Sequence, residues 1–199
     1  MLAAGASQRF GSDKLLHPLT RYGATLPLAA HSLQPWLASF GQVSVVVRPG
    51  SNMLRSAIEA ALGIGKGNAQ RPAAINWIEC ADAAQGMAYS LACGVRANRD
   101  AAGWLIGLAD MPSVPLEAIA RVRNALASGG AAIAVPAYAG KRGHPVGFAR
   151  EYRIELLALQ GDAGARHLLQ RDRSRVLEIE FEDAGIFADV DVPGDLMQL

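Results

Sequence analysis

Cysteine is scarce in this chain and net charge is nearly absent. Two of the 199 residues are cysteine, Cys80 and Cys93. They are too few for a disulfide framework and lack the spacing of a metal-ligand pair. The formal net charge is +1, which gives no electrostatic reason to expect nucleic acid or an anionic membrane as partner. Any anion site has to come from local placement of charge. No apolar run approaches the length of a membrane span. The first residues lack the charged-then-apolar plan of a signal peptide, so the cytoplasm is the expected compartment. Internal repeats, low-complexity tracts and linkers are missing as well. With 51% hydrophobic and 19% charged residues, the composition suits one domain over 1–199 that buries a substantial core.

Two common nucleotide templates are also absent. A Walker loop needs G-x-x-x-x-G-K-[ST], but Ser12 and Asp13 separate Gly11 from Lys14, and no G-x-G-x-x-G fingerprint occurs. What is present is Leu-Ala-Ala-Gly-Ala-Ser-Gln-Arg-Phe-Gly-Ser-Asp-Lys over Leu2–Lys14. It starts apolar, turns small and flexible, and sets Arg9 and Lys14 on either side of Gly11. Gly5 and Gly11 permit positive φ and close approach to a ligand. Successive backbone N–H groups in such a turn make a nest for anions, and the two cations stand where bound phosphates need neutralising. The chemistry suggested is triphosphate binding. The plainer alternative is a surface turn with two solvated cations.

Strand and helix patterns alternate from there on. A short first strand precedes Gly5, shorter than an ordinary buried strand unless the true start lies upstream. Thr25 and Pro27 predict a helix start, with Pro35 kinking or ending that helix. Gln42–Arg48, Ala74–Glu79 and Gly103–Ala109 read as strands, and Met53–Leu62, Gly86–Val95 and Pro115–Ala127 as helices. Residues 63–72 read as a loop. Ala131–Val135 is expected as a strand broken by Pro136, followed by the basic loop Gly140–Phe148 running into a short strand. Short helices are expected over Glu151–Leu159 and Ala163–Gln170. Val176–Phe181 and Ala188–Val192 read as late strands, with a terminal turn from Pro193. This alternation predicts an α/β, doubly wound, mostly parallel sheet with helices on both faces. Ligands then belong beyond the carboxyl ends of the strands. That rule draws Gly5–Lys14, Ala81–Ser90 and Asp110–Pro112 to one crevice.

Asp110 follows an apolar run and is expected at a strand tip, where one or two carboxylates with phosphate oxygens suit Mg²⁺. An N-cap or Asx turn before the helix at Pro115 is the alternative. Gln85 offers a donor and an acceptor to a base edge. Gly86 permits close approach, and the helix N-terminus behind it favours a phosphate; the alternative is that the same residues simply cap a helix. His144 follows two basic residues and can hydrogen-bond an acceptor phosphate, although a lone loop histidine is more often a surface residue. Asp191 and Asp195 can equally cap the terminal turn.

The Leu2–Lys14 stretch resembles the loop L-A-[AG]-G-x-S-x-R-[FM]-G-x-x-K of the MobA/MocA-like nucleotidyltransferases, with every fixed position present. Further segments are similar to that family's in the same order. Gln85-Gly86-Met87 with Ser90 matches Q-G-[MT]-x-x-S, and Ala109-Asp110-Met111-Pro112 matches [GA]-D-x-P. Gly143-His144-Pro145-Val146 matches G-H-P-V, and Gly161–Arg166 matches G-D-x-G-A-R. Asp189–Leu196 matches D-[IV]-D-T-P-E-D-L with Val192 and Gly194 departing.

The resemblance is nearest to the MocA-type molybdenum cofactor cytidylyltransferases. It implies a Rossmann-like, GT-A-like fold and transfer of CMP from CTP to the terminal phosphate of molybdopterin, with Mg²⁺ as cofactor. A molybdenum hydroxylase apoenzyme follows as a further partner. It implies Arg9, Lys14 and Asp110 as catalytic residues and a nucleotide site from Leu2, Ala3, Ala4, Gly5, Ala6, Ser7, Arg9, Lys14, Gln85, Gly86 and Ser90. Asp110 and Asp191 stand as metal ligands, and His144, Pro145, Asp162 and Gly164 as acceptor contacts. Two rivals remain on sequence grounds: a guanylyl or sugar-phosphate transferase on the same fold, and a non-catalytic carrier of the molybdenum cofactor.

Overall fold

The computed structural model describes residues 1–5, 10–11, 13–64 and 74–198. After Lys14 the chain makes an antiparallel hairpin, β1 (Pro18–Arg21) and β2 (Ala24–Pro27), with Pro18 opposite Pro27. Tyr22 and Gly23 turn it with φ of 51° and 77°, the positive pair of a two-residue primed turn. Thr25 is therefore a strand residue, its Oγ1 2.8 Å from that of Thr20, rather than an N-cap. The helix expected there begins later, as α1 (Leu28–Phe40) with Pro27 at its N-cap, and it runs through Pro35. An interior proline costs about 3 kcal/mol. Leu28, Leu33 and Trp36 of the same helix are buried in the core, at ~1.5–3 kcal/mol for each large apolar side chain, and that outweighs the proline.

The β-branched run forms β3 (Gln42–Val47). After α2 (Asn52–Leu62), the chain pairs β4 (Ala74–Glu79) with β3 in parallel, Gln42 opposite Ala74. Val43, Val45 and Val47 pack on one face and Val46 on the other, as the period of two requires in a strand covered on both sides. Residues 1–4 lie along the free edge of β3. Val46 donates to the Met1 carbonyl at 2.9 Å, and the Ala3 amide donates to the Val46 carbonyl at 2.8 Å. On its other flank Leu2 bonds the Gly107 carbonyl at 2.8 Å and the Ala109 amide at 3.0 Å. This opening segment bridges two strands at once.

Following α3 (Met87–Ala97) comes β5 (Gly103–Ile106), just past which Leu108 bridges Leu2 in parallel. Beyond α4 (Leu116–Ala127), β6 (Ile133–Tyr138) and the two-residue β7 (Lys141–Arg142) lead to β8 (Val146–Ala149). β8 runs antiparallel to both β5 and β6. After α5 (Arg153–Leu157) and α6 (Arg166–Arg171), β9 (Val176–Glu180) returns parallel to β6. The resulting order is β4, β3, residues 1–4, β5, β8, β6, β9.

β6 continues through Pro136, where a break was expected. Its β8 pairing ends at Ala134 and its β7 pairing begins at Ala137, so the missing N–H falls where the partner strand changes. Residues 188–192 run as irregular chain rather than a strand. The two expected helices near the C-terminal end shrink to α5 and α6, each flanked by a single turn of 3₁₀ helix.

Apolar side chains of α1, α2 and α4 join Val43, Val45 and Val47 in one cluster. Those of α3, Leu156 of α5 and Leu168 of α6 join Trp104, Ile133 and Phe148 in another, across the sheet. The doubly wound arrangement is thus borne out. From the central segment 1–4 the chain moves out to β3 and β4, then returns to β5 on the opposite side. The rule for such a reversal puts a ligand site beyond the carboxyl ends of those strands. Among the described residues, no helix is long and apolar enough to cross a membrane.

Candidate active site

The anchor is Lys14. It opens a single 3₁₀ turn, Lys14–Leu16, whose first amides are held by the Asp13 carboxylate accepting from Leu15 N at 3.2 Å. Leu15 is buried in the core, and upstream the Phe10 ring is buried too, edge-on to His17 with centroids 5.3 Å apart. Both pin the end of the glycine loop, and Lys14 itself is only 8% exposed. Its Nζ lies 2.7 Å from Asp110 Oδ2, donates to the Val190 carbonyl at 2.6 Å and reaches Asp191 Oδ1 at 3.5 Å. A backbone bond of 3.0 Å from Val190 N to the Asp110 carbonyl ties the two carboxylate-bearing segments together.

These contacts bear on the roles open to Asp110. The N-cap of α4 is Pro115, with no side-chain capping bond, so Asp110 does not cap that helix. One carboxylate oxygen serves Lys14. The other, Oδ1, is buried and accepts no hydrogen bond among the described residues. A buried acceptor without a partner is costly, and a hard cation satisfies it. Among the described residues, no cluster of three or more His, Cys, Asp or Glu side chains is placed to hold a metal. The donor set is one or two carboxylates, which suits Mg²⁺ or Mn²⁺ completing its shell with phosphate oxygens and water.

The terminal aspartates divide their roles. Asp195 Oδ2 accepts from Asp191 N at 2.7 Å and Val192 N at 2.8 Å, the back-reaching half of a capping box on the Pro193–Gln198 turn. Those two N–H bonds hold its carboxyl below the usual carboxylate range. Asp191 instead faces Lys14.

On the nucleotide side, Leu2, Ala3 and Ala4 belong to the central bridge, and Gly5 is exposed at its end. Ala6, Ser7 and Arg9 lie outside the described residues. Gln85 is exposed on the turn after β4, with Nε2 2.6 Å from Asp82 Oδ1, and it does not cap α3. Ser90 is buried within α3. Gly86, at φ 134°, packs against the Gly161 carbonyl so closely that an added Cβ would overlap it, and that Cβ would stand 2.5 Å from Asp162 Oδ1. The Ala88 amide also bonds the Gly161 carbonyl at 3.0 Å. Two segments far apart in sequence are therefore one packed unit. Gly86→Ala is expected to cost about 1–3 kcal/mol through strain and displacement of this turn, read as a lower denaturation midpoint with an unchanged m-value.

Of the four residues expected to contact an acceptor, His144 and Gly164 line a cavity of about 600 Å³ together with Leu2, Met87, Leu108 and Arg166, and Pro145 and Asp162 are not part of that lining. Pro145 follows a cis His144–Pro145 bond. Gly143 is required there, since a Cβ would come within 2.6 Å of the Ile186 carbonyl. His144 is half-buried, and burial lowers its imidazole pKa from the ordinary 6.5; a hydrogen bond to the Ile106 backbone and the Asp110 and Asp189 carboxylates oppose that fall. His144 is thus neutral at neutral pH. A histidine held neutral contributes stability that is full above the unfolded value and is lost as pH falls below about 6.5. Melting curves between about pH 7.5 and about pH 5.5 should therefore drop more steeply for the native chain than for His144→Asn. A second cavity, about 310 Å³, sits at the amino ends of β3 and β5, lined by Met1, Trp36 and Gln42. It lies away from the Lys14–Asp110 crevice.

A family model for the MobA-like NTP transferase domain matches residues 1–176. The chain belongs to the MobA-like NTP transferase family. The chain is 31% identical over 199 residues to the purine catabolism protein PucB of Bacillus subtilis strain 168, covering 96% of this chain and 90% of that one. Rv0371c of Mycobacterium tuberculosis H37Rv, solved as a complex with manganese, is 26% identical with a TM-score of 0.71, over 100% of this chain and 94% of that one. A nucleotidyl transferase from a Methanothermobacter species, 18% identical, shares the fold with a TM-score of 0.72, over 99% of this chain and 92% of that one.

Sequence reasoning did not single out the Val190 carbonyl, Asp189 or Arg166. A backbone acceptor leaves no trace in residue identity. Arg166 was part of a matched segment, but only the fold sets it over the cavity. The capping role of Asp195 was legible as one of two alternatives, from an acidic residue at the third position of a turn.

Proposed function

We propose that this MobA-like protein transfers CMP from CTP to the terminal phosphate of molybdopterin, releasing pyrophosphate. The observation that carries the reading is the buried ammonium of Lys14 set 2.7 Å from Asp110 at the strand tips, with a cavity lined by His144 and Gly164 elsewhere in the fold. An acceptor phosphate oxygen forms a bond to the α-phosphorus while the bond to the α,β-bridging oxygen breaks, and the electron pair leaves on pyrophosphate. An ionised phosphate needs no general base, so the protein supplies position and charge. Arg9 and the loop amides hold the β- and γ-phosphates. Lys14 serves the α/β bridge, where negative charge grows. Asp110 and Asp191 would hold Mg²⁺, which would supply positive charge against the departing pyrophosphate. His144, Pro145, Asp162 and Gly164 shape the acceptor side, where a neutral His144 donates a hydrogen bond to phosphate. The name of PucB, a purine catabolism protein, agrees with a cofactor destined for a hydroxylase of the xanthine dehydrogenase type, whose apoenzyme would be the receiving partner.

The base is read beside Ala4. This residue is buried in a small cluster with Val46, Cys80 and Ala83, so its methyl supports the Ala83–Gln85 turn rather than lining the cleft. Guanylyl-transferring relatives carry glycine at this position. A turn propped by that methyl leaves room for a pyrimidine and crowds a purine, and a base read through hydrogen bonds is discriminated strongly. Incubation with molybdopterin, with and without molybdate, and either CTP or GTP should release pyrophosphate with at least ~tenfold higher kcat/KM for CTP, about 1.4 kcal/mol. Ala4→Gly should relax the preference. Equal or better use of GTP would exclude the cytidylyl reading. Binding of molybdopterin with no pyrophosphate from either nucleotide would favour a carrier.

A further inference from the structure

Cys80 follows β4 directly and is 3% exposed, packed with Ala4, Val46 and Ala83. Cys93 lies on α3, half-buried against the same cluster. The two segments interlock around these side chains. Cys80 Sγ donates to the Tyr89 carbonyl at 3.6 Å, and Tyr89 sits one helical turn before Cys93 on the same face of α3. Cys93 Sγ donates to the carbonyl of Glu79, the residue before Cys80, at 3.8 Å. The Cys93 side chain is also in hydrogen-bonding contact with that of Cys80, and both thiols are free. We propose that Cys80 and Cys93 are a site of reversible disulfide formation, oxidised by a small-molecule disulfide, and that the bond staples the end of β4 to α3 across the Asp82–Gly86 turn. This is chemistry apart from the transfer reaction.

Unequal burial divides the two steps. A thiolate at Cys93, the more accessible sulfur, attacks the small disulfide RS–SR. A bond forms between Cys93 Sγ and one sulfur, and the other leaves as RS⁻. Cys80 Sγ, too buried to meet the reagent itself, then attacks Cys93 Sγ and releases the second RS⁻. The two protein thiols give up two protons and two electrons, and RS–SR becomes two RSH. Contact in the reduced fold favours the second step, because the resolving sulfur is already in place. Burial and the Cys80 contact push the Cys93 thiol up to about 11. Thiolate is therefore scarce at neutral pH, and the exchange takes on the order of hours. The loop that closes between Cys80 and Cys93 contains Ala83, which packs with Ala4, and the start of α3, where Ala88 N bonds the Gly161 carbonyl at 3.0 Å. A crosslink there restrains the turn that joins β4 to α3. Cysteines that only fill a gap in the core predict another outcome: the accessible one is capped by the reagent and the buried one stays free.

The test is incubation of the full, prereduced chain with oxidised glutathione, followed by thiol alkylation in denaturant and peptide mass mapping. The chain has two cysteines, so a Cys80–Cys93 crosslink is the single intramolecular disulfide it can make. The expected product is a monomer with that crosslink, no alkylatable thiol and no bound glutathione, returned to two thiols by dithiothreitol. Cys80→Ser should stop with glutathione on Cys93. Cys93→Ser should react at Cys80 at least ~tenfold more slowly than the native pair. A native chain that ends with glutathione on Cys93 and a free Cys80, that keeps both thiols, or that crosslinks to a second chain overturns the proposal, and none of these readings needs a variant. Amide hydrogen exchange over residues 82–88 reads the staple itself. Oxidation should slow it at least ~tenfold, and dithiothreitol should restore the rate. A crosslink that leaves this exchange unchanged overturns the staple.

Discussion

Lys14→Ala is expected to lower kcat by about a hundredfold to a thousandfold, ~2.7–4 kcal/mol, with a much smaller change in KM for the triphosphate. The magnitude is that of removing one preorganised donor from a developing oxyanion. The split follows from the place proposed for Lys14: at the α/β bridge negative charge increases in the transition state, so the lost interaction is worth more there than in the ground state. In the nucleotide-free protein the same ammonium is held by Asp110 and Val190. Some of its binding energy toward phosphate is therefore spent on leaving those partners, which weakens its ground-state contribution further. Steady-state kinetics with CTP varied at saturating acceptor measures both parameters. Unchanged turnover would remove the phosphate loop from the mechanism, and a rise in KM alone would make Lys14 a binding residue only.

Asp110→Asn is expected to abolish metal-dependent turnover while the fold survives. The amide keeps the size of the side chain, loses the charge and retains one oxygen where the native group has two. Its loss leaves Lys14 with the Val190 carbonyl and the longer contact to Asp191, so the ammonium is not stranded in the core. Because Asp110 caps no helix and α4 starts at Pro115 without a side-chain bond, circular dichroism and the melting curve should stay close to native. Activity should not return at any Mn²⁺ or Mg²⁺ concentration that saturates the native enzyme. Unfolding of the variant, together with a native chain that binds no metal in the crevice, would make Asp110 a structural residue.

What could be read in advance and what could not divides along physical lines. β3 and β4 were legible because buried parallel strands write themselves as β-branched runs, and Val43–Val47 is one. Lys14 and Asp110 were legible because each sits at a spacing with a chemical meaning. Their mutual contact was not, and neither was the Val190 carbonyl, which lies 176 positions from Lys14 in the chain and is the same in every residue type. The β1–β2 hairpin was missed because Thr25 and Pro27 favour a helix start locally. The decisive term was the Tyr22–Gly23 turn, where a tyrosine takes positive φ. Pro35 and Pro136 misled in a common way. Each does remove a hydrogen bond, but the first is outweighed by burial along α1 and the second falls where β6 changes partners. Gln85 and Ser90 matched one short motif, yet the structure puts the first on an exposed turn and the second inside packed helix. Spacing on a helix fixes a face, and which face is buried is set by the rest of the fold.

The central claim is nucleotidyl transfer in the Lys14–Asp110 crevice, and a dual-label assay tests it most directly. CTP labelled on the α-phosphorus is incubated with molybdopterin and Mg²⁺, with the native chain and with Asp110→Asn in parallel. The account predicts α-label in a molybdopterin product in one-to-one ratio with released pyrophosphate for the native chain, and neither above background for the variant. Release of orthophosphate with no label on the acceptor, or equal transfer by Asp110→Asn, would contradict it.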